Sequence, residues 1–411
     1  MKTQARLALP LLLALAACGQ AATPPGDPTA SVKTIESAPA PRSPLGSAPI
    51  LPSASAPASS VQTPAPPASA FAEVVGAISE PDGPFISDNA ISNETSYLQV
   101  AGALSKLGAP GGAYIGVGPE QNFTYIALTR PSVAFIVDIR RQNMILHLLY
   151  KAIFTEAQSR THFLSLLLGR SYDASREPAQ DASIEDVIAA VEKGEPDKAG
   201  FAALHARLRE RIEKEIHLDA GDRKTLEVAH RSFLDKQLAL RFELHEKNGR
   251  VYPTLRELFT QRDPDGKARG FLAEDASFRF VQTMEREGRI LPVVGDFAGD
   301  RAMPGIAAEI KKRGLTVSAF YVSNVEQYLF EPGVWTKWAR NVASLPVDDR
   351  SLFIRCYLDQ GKRHPQEMKG HRTATVLQKI ADFDERQAKK PFTSWWSVAT
   401  EKVLGENGLP L

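Results

Sequence analysis

The stretch at residues 112–129 reads GAYIGVGPEQNFTYIALT and joins two different patterns. It begins as a short apolar run that ends in Gly116 and Gly118, which is typical of a buried strand followed by a tight turn. Pro119 suits the first turn of a helix, and a helix is predicted from Glu120 to about Thr129. The stretch therefore predicts a strand, a glycine turn and a helix in succession.

The residues that follow complete a βαβ unit. Residues 133–138 read VAFIVD, an apolar run suited to a strand buried on both faces and closed by an acid. A long amphipathic helix is predicted next, from Gln142 to about Ala157. Strand, glycine turn, helix and strand in this order indicate a parallel pair joined by a crossover helix.

The same alternation returns in the C-terminal part of the chain. The predicted elements are a strand at residues 290–296, a helix at 302–313, a strand at 315–322, a helical stretch to 341, a strand at 352–356 and a final helix at about 373–387. The intervening residues, about 158–288, carry apolar positions at helical spacing. Five strands interleaved with helices predict an α/β fold, a doubly wound and mainly parallel Rossmann-like sheet, with a large helical insertion after the second crossover.

The N-terminus has the pattern of an export signal. Two positive charges precede an apolar run from Leu7 to Ala17, which is too short to cross about 30 Å of hydrocarbon as a helix. The segment Leu15-Ala16-Ala17-Cys18 resembles a bacterial lipobox. The alternative is a signal peptide of another class in which the cysteine is incidental.

The resemblance to bacterial lipoproteins implies that residues 1–17 are removed and that Cys18 is lipidated, with palmitate among its acyl chains. Several chains anchor a protein far more firmly than one. Gly19 stands where an Asp would favour the inner membrane, so the resemblance implies the outer membrane of the bacterial cell envelope. Residues 18–70 are rich in Ala, Pro and Ser and are predicted to be a disordered tether before a folded domain at 71–411.

Composition excludes several classes of function. The chain has 49 Lys and Arg against 48 Asp and Glu, a formal net charge of +1, so no strong field attracts nucleic acid. Two cysteines cannot form a disulfide scaffold or a zinc ribbon, and Cys356, inside an apolar run, is interpreted as a core thiol. The eight histidines show no metal-binding spacing, so no metal site is predicted.

The candidate site residues follow the predicted strands, because ligands of such sheets bind beyond the carboxyl ends of the strands. They are Gly116, Gly118, Asp138, Asp296, Ser323 and Asn324. Each has a purely structural alternative. The glycines either form the turn or let a ligand approach, and Asp138 either binds a ligand or pairs with Arg140 or Arg141. Asp296 and Asn324 are also typical turn and cap residues.

His147 and Lys151 lie one helical turn apart on the helix after Asp138. They could face the cleft beside the strand ends. We favour the other interpretation, in which both side chains face solvent. No catalytic residue is assigned from the sequence.

The strand-GVG-helix arrangement, followed by FIVD, VVGD and FYVSN, resembles the class I S-adenosylmethionine-dependent methyltransferase fold over roughly residues 112–139 and 290–356. The resemblance implies that Gly116 and Gly118 approach the methionine part of the cofactor. It implies Asp138 at the ribose and Asp296 at the adenine amine, with Ser323 and Asn324 near the methyl group and the acceptor. The motifs YIGVGPEQNF and SNVEQYL also resemble an uncharacterised bacterial family, which implies no particular activity.

The sequence departs from the methyltransferase pattern at two positions. Tyr114 stands in place of an acid, and Glu120 stands in place of a third glycine. A carboxylate at the start of a helix repels a pyrophosphate, so nicotinamide and flavin dinucleotides are disfavoured as ligands. S-adenosylmethionine remains a possible cofactor, and none is established.

Two functions follow from these observations. We favour an envelope lipoprotein whose methyltransferase-like domain binds a small molecule or an envelope protein without turnover, because a fold alone does not establish catalysis. The alternative is an S-adenosylmethionine-dependent methyltransferase with an unknown acceptor. The methyl donor is made in the cytoplasm, which argues against catalysis in the envelope.

Overall fold

The computed structural model describes residues 68–87, 90–108, 110–246, 249–358 and 361–411. The predicted signal peptide, the predicted lipidation site Cys18 and the tether as far as residue 67 lie outside these residues.

A single sheet organises the described part of the chain, in the order β3-β2-β1-β4-β5-β6. Its six strands are β1 (Gly111–Gly116), β2 (Pro131–Asp138), β3 (Ile290–Val294), β4 (Val317–Ser323), β5 (Leu352–Leu358) and β6 (Thr373–Lys379). All neighbours pair in parallel except β5 and β6, which are antiparallel. The predicted fold class, a doubly wound and mainly parallel α/β sheet, is confirmed.

The prediction of a final helix from Thr373 is wrong. Residues 373–379 form β6 at the edge of the sheet, and the helix begins only at Ile380. Thr373, Thr375 and Val376 are β-branched and favour a strand that packs against β5. Lys379, which precedes the helix, makes no side-chain cap, so no capping signal marks the boundary.

Fourteen α-helices surround the sheet in the described residues. They are α1 (Ala68–Ile78), α2 (Ala101–Leu107), α3 (Gln121–Thr129), α4 (Arg141–Glu156), α5 (Arg160–Leu168), α6 (Ile184–Glu192), α7 (Phe201–Glu213), α8 (Ala220–Lys236), α9 (Leu255–Phe259), α10 (Asp275–Arg286), α11 (Ala302–Lys312), α12 (Val334–Ala343), α13 (Ile380–Lys389) and α14 (Trp395–Thr400). Helices α5 to α10 make up the insertion between the crossover helix α4 and strand β3.

Helices cover both faces of the sheet. Helices α3, α4 and α10 pack together, and α3 and α4 contact β2. Helix α1 packs on β3 and on α11. The sheet core is buried accordingly, and every residue from 133 to 138 in β2 is buried. A strand buried on both faces explains the uninterrupted apolar run in the sequence.

The strand order reverses between β1 and β4. Chain connections lead from β1 to β2 and β3 on one side, and from β4 to β5 on the other. The crossover loops at this position diverge and leave a crevice outside the carboxyl ends of the strands. Ligands of doubly wound sheets bind in this crevice.

Candidate ligand-binding site

A cavity of about 640 Å³ lies at the carboxyl ends of the strands, where the strand order reverses. Five of the six residues predicted from the sequence line it: Gly118, Asp138, Asp296, Ser323 and Asn324. Gly116 is not among the lining residues. The volume falls within the range of small-molecule sites, roughly 300–1,000 Å³.

Gly116 is required by packing against the chain itself. A Cβ at this position would lie 1.9 Å from Asn122 Oδ1 and 2.7 Å from the Tyr114 ring. The Tyr114 hydroxyl donates to that same Asn122 oxygen over 2.9 Å. The space beside Gly116 is therefore filled by the residue that replaces the acid of the methyltransferase pattern.

Gly118 occupies a different environment. Its φ is +78°, a conformation that favours glycine, and no atom lies within 4 Å of the position that a Cβ would take. Its carbonyl oxygen accepts hydrogen bonds from Asn122 Nδ2, Asn143 Nδ2 and His147 Nε2, at 3.0, 3.1 and 2.9 Å. Three side chains on two helices thus fix the turn at the cavity wall.

The prediction that His147 and Lys151 face solvent is wrong, because both side chains are buried. His147 Nε2 donates to the Gly118 carbonyl oxygen. Burial lowers the pKa of His147 to about 4, so the ring is neutral. Lys151 donates to the Glu285 carbonyl over 2.5 Å and pairs with Glu215. The insertion covers helix α4 and so shields both residues from solvent.

Asp138 forms a buried ion pair with Arg140, one of the two partners considered from the sequence. Its Oδ1 accepts from the Arg140 backbone N–H and Nε, and its Oδ2 accepts from Nη2, all within 3.0 Å. Arg141 pairs instead with Asp222 of the insertion. Both members of the Asp138–Arg140 pair line the cavity, so a ligand would meet a neutralised carboxylate here.

Asp296 and Asn324 both make turn contacts and line the cavity. Asp296 Oδ1 accepts from the Ala298 backbone N–H over 2.9 Å. Asn324 precedes a 3-10 helix at Val325–Tyr328; its backbone carbonyl accepts from Gln327 N–H, but its side chain does not cap the helix, and its Oδ1 lies 3.2 Å from Ser323 Oγ. The turn alternative therefore holds for both residues and the side-chain cap does not form at Asn324, and both residues line the cavity.

Ser323 has an unusual backbone and an unexpected partner. Its φ is +52°, which is rare for a residue other than glycine, and the pairing register between β4 and β5 shifts beside it. Its hydroxyl donates to Oε1 of Glu94. Strained backbone of this kind concentrates at functional sites.

Glu94 lines the cavity and was not predicted. It is 1% exposed, and its Oε2 has no hydrogen-bond partner in the described part of the chain. Burial raises the pKa of this carboxyl, and the hydrogen bond from Ser323 offsets part of the rise. Burial also raises the pKa of the nearby Glu120 to about 7. Nothing in the sequence indicates that either acid is buried.

An irregular segment lies across the carboxyl ends of the strands and forms part of the cavity wall. Residues 79–87 and 90–96, which we name the cover segment, cross the carboxyl edge of the sheet. Hydrogen bonds connect it first to the end of β3 (Glu80 to Val294) and to the residue after β2 (Gly83 to Ile139). Further along, it bonds to the residue before α3 (Ser92 to Glu120) and to the start of β6 (Ser96 to Thr373). The cover segment thus supplies one wall of the cavity, including Glu94.

Comparison with protein families gives a match to most of the chain. A family model described as "Domain of unknown function (DUF7790)" matches residues 90–406. The chain belongs to this family. No curated protein matches the chain.

The matched residues contain most of the site but not all of it. Every strand and Glu94 lie within the family range, whereas helix α1 and the first half of the cover segment precede it. The family description names no activity.

Charge and aromatic surface define that chemistry. The Asp, Glu, Lys and Arg residues of the wall are four acids, Glu94, Asp138, Asp296 and Glu331, and two bases, Arg140 and Arg250. Aromatic rings complete it, among them Phe85, Tyr252 and Tyr328. No cluster of His, Cys, Asp and Glu suited to a metal ion occurs in the described residues. The wall suits an organic molecule with an apolar body and a polar or cationic group.

Proposed function

We propose that this member of the family binds a small organic molecule in the cavity between the ends of β1 and β4. The cavity itself carries the proposal: about 640 Å³ at the switch point of a doubly wound sheet, with strand-end polar residues on its wall. Binding without turnover is favoured, because Asp138 is neutralised by Arg140 and Asp296 is engaged in a turn.

Native mass spectrometry of the purified chain tests this proposal. We expect a bound small molecule, or displacement of one by added metabolites, with a matching rise in Tm. Asn324→Trp places a large side chain on the cavity wall and should abolish binding, whereas Asn407→Trp, on an exposed loop far along the chain, should leave it unchanged. Equal binding by both variants would place the ligand elsewhere and contradict the proposal.

Methyl transfer is the second candidate function. Its support is that Gly118, Asp138 and Asp296, which the methyltransferase resemblance assigns to the cofactor, line one cavity. Two features oppose it: Tyr114 and Asn122 fill the space beside Gly116, and Glu120 is buried at the start of α3.

Calorimetry with S-adenosylmethionine and its demethylated product separates the two functions. We expect weak or absent binding. Low-micromolar affinity that Asp138→Ala weakens by about 1.5–3 kcal/mol, the contribution of a hydrogen bond to a charged group, would make the methyltransferase the leading function.

We further propose that the chain is a lipoprotein of the bacterial outer membrane, anchored through Cys18 and a tether at residues 18–70. The support is the order of charge, apolar run, small residues and cysteine in residues 1–18. Among the described helices, none combines the length and apolar character needed to span a bilayer.

Acyl labelling tests the anchor with an internal control. Cys18→Ala should abolish labelling and release the chain from the membrane fraction. Cys356→Ala removes the other cysteine, which is buried in β5, and should leave labelling intact. Labelling that persists in Cys18→Ala would disprove the anchor.

A further inference from the structure

The buried carboxyl of Glu94 has a hydrogen-bonding capacity that the chain does not use. Ser323 Oγ donates to its Oε1, and its buried Oε2 has no partner at hydrogen-bond geometry in the described residues; the Tyr321 hydroxyl and the Cys356 thiol also lower the pKa of the carboxyl, but less than Ser323 does. Buried polar atoms are almost always hydrogen-bonded, so each exception needs a physical reason. Here the unsatisfied group belongs to a residue on the wall of a large cavity.

Two buried acids, Asp138 and Glu326, are satisfied by the chain itself, whereas Glu120 and Glu285 each keep one buried oxygen without a partner in the described residues, as Glu94 does. Asp138 is paired with Arg140. Glu326, which is fully buried, accepts from Arg355 on both oxygens and from Trp338. Among the three acids with a free oxygen, Glu94 differs because it lines the large cavity, and no ion pair to it occurs in the described residues.

The groups that surround Glu94 are neutral or acidic. The titratable side chains that interact with it are Tyr321 on β4, Cys356 on β5, Tyr114 on β1, and Tyr125 and Glu120 at α3. An anionic ligand group beside Glu94 would find no cation among these side chains and would oppose ionisation of the carboxyl. A cation that donates an N–H bond would satisfy both the charge and the free oxygen.

We propose that the cavity takes a ligand that carries a protonated amine, and that the Glu94 carboxylate turns toward the cavity to accept a hydrogen bond from the ammonium group. This inference rests on the proposed small-molecule function and names its ligand class. The aromatic residues Phe85, Tyr252 and Tyr328 on the same wall suit the apolar body of such a ligand and also attract cations.

Binding is coupled to proton release. Burial raises the pKa of Glu94, so the empty protein keeps the carboxyl protonated at pH values where a free glutamate is ionised. An arriving ammonium group stabilises the carboxylate and expels that proton. Affinity for an amine therefore rises with pH through the titration of Glu94, and it falls again where the amine itself loses its charge.

The experiment uses the purified full-length chain and matched probes: phenethylamine and putrescine, with 2-phenylethanol and 1,4-butanediol as neutral counterparts. At pH 8 we expect each amine to bind at least tenfold more tightly than its alcohol in ligand-observed NMR or calorimetry. Binding heats should vary with the ionisation enthalpy of the buffer and indicate release of about one proton.

Three variants assign the effect to Glu94. Glu94→Gln keeps the shape and the Ser323 hydrogen bond but cannot ionise, and it should lower amine affinity at least tenfold while alcohol affinity stays within twofold. Ser323→Gly keeps the positive φ and removes the hydroxyl that hydrogen-bonds to Glu94. The carboxylate is then less stable, so amine affinity should fall several-fold. Glu285→Gln changes a buried carboxyl that does not line this cavity and should leave all affinities unchanged.

The outcomes separate this inference from the proposed function. Amines that bind no better than alcohols, or that bind Glu94→Gln equally well, would overturn the amine assignment while small-molecule binding stands. If no probe binds and no molecule co-purifies, both fail. The assignment is supported if the parent chain releases a proton on amine binding and folded Glu94→Gln both binds the amine weakly and releases no proton.

Discussion

Gly116 and Gly118 lie two residues apart in one turn, and different constraints keep each of them a glycine. Gly116 faces Asn122 and Tyr114 at distances that leave no room for a Cβ. Gly118 has open space around it but a φ of +78°. The sequence pattern G-V-G does not distinguish a steric requirement from a conformational one.

Substitution by alanine separates the two constraints. Gly116→Ala overpacks the turn and should destabilise the protein by about 1–3 kcal/mol, whereas Gly118→Ala carries the left-handed backbone penalty of roughly 1–2 kcal/mol. An Asn122→Ala background removes the shortest contact but leaves the Tyr114 ring 2.7 Å from the new Cβ, so Gly116→Ala should cost less there without becoming neutral. Gly118→Ala should keep its effect there. Urea unfolding of the variants measures this, and a cost of Gly116→Ala that is equal in both backgrounds would contradict the steric explanation.

Glu285 gives stability a pH dependence of known sign. Burial raises its pKa from 4.5 to about 8, although Lys151 partly opposes the rise and Glu215 adds to it. Between these values the unfolded chain loses the proton and the folded chain keeps it. The folded state is therefore favoured below pH 4.5 and loses stability as the pH rises to about 8.

Glu285→Gln cannot ionise and should escape this loss. We expect the variant to be about as stable as the parent chain at pH 4.5 and more stable by roughly 2–5 kcal/mol at pH 9, on the scale of 1.4 kcal/mol per pKa unit. Free energies of unfolding from urea titrations at several pH values test this. A difference between the two proteins that does not change with pH would show that Glu285 ionises normally.

At the scale of elements, predictability from sequence followed the strength of the local pattern. The strands β1 to β5 and the helices α3, α4 and α11 coincide with apolar runs and helical spacing within a few residues of the predicted bounds. Strand β6 was missed because its TATVLQK sequence runs into a charged helix without a capping residue. Its pairing with β5 is a tertiary contact that local spacing does not encode.

A buried ion pair joins the elements on the β5 side of the sheet. Arg355 on β5 donates to both oxygens of Glu326, in the 3-10 helix after β4, and to Gln378 on β6. Trp338 on α12 donates to the same carboxylate. Arg355 and Glu326 are 1% and 0% exposed, so neither charge has water to replace a lost partner.

Removal of one member of this pair should destabilise the protein by about 3–5 kcal/mol, because a buried charge remains uncompensated. Glu326→Gln and Arg355→Met are the single variants. The double variant should lose much less than the sum of the two, because no isolated charge is left. A double-mutant cycle in urea measures the coupling, and additive losses would contradict the proposed role of the pair.

At the scale of the whole molecule, the sequence predicted five residues of the cavity wall but not the cover segment. Gly118, Asp138, Asp296, Ser323 and Asn324 were found because parallel strands bring their carboxyl ends to one edge. Glu94 and the cover segment were missed, because an irregular segment leaves no period in the sequence and its hydrogen bonds reach residues far along the chain. Local sequence patterns therefore predict the strand-end residues of the cavity wall, whereas the contribution of the cover segment depends on the complete fold.

Helix α1 and the cover segment should be required for a stable domain, although the family match begins only at residue 90. Phe71, Val75 and Ile78 are all buried by packing of α1 on β3 and α11. Glu80 accepts from the backbone N–H groups of Arg301 and Ala302 at 2.7 and 2.6 Å, which caps the start of α11. Burial of three such side chains contributes about 4–9 kcal/mol and the cap about 1 kcal/mol, against a total stability of about 5–15 kcal/mol for a typical domain.

Two truncated chains test this requirement. A chain that starts at residue 68 should unfold at the same urea concentration as the full-length protein, with a circular dichroism spectrum of mixed helix and sheet in which helix dominates. A chain that starts at residue 90 should unfold at a much lower concentration or fail to show a cooperative transition, because the apolar surface of β3 and α11 that α1 covers becomes exposed to water. Equal unfolding midpoints for the two chains would mean that the family range folds without α1, and that the packing of Phe71, Val75 and Ile78 contributes little to the stability of the sheet.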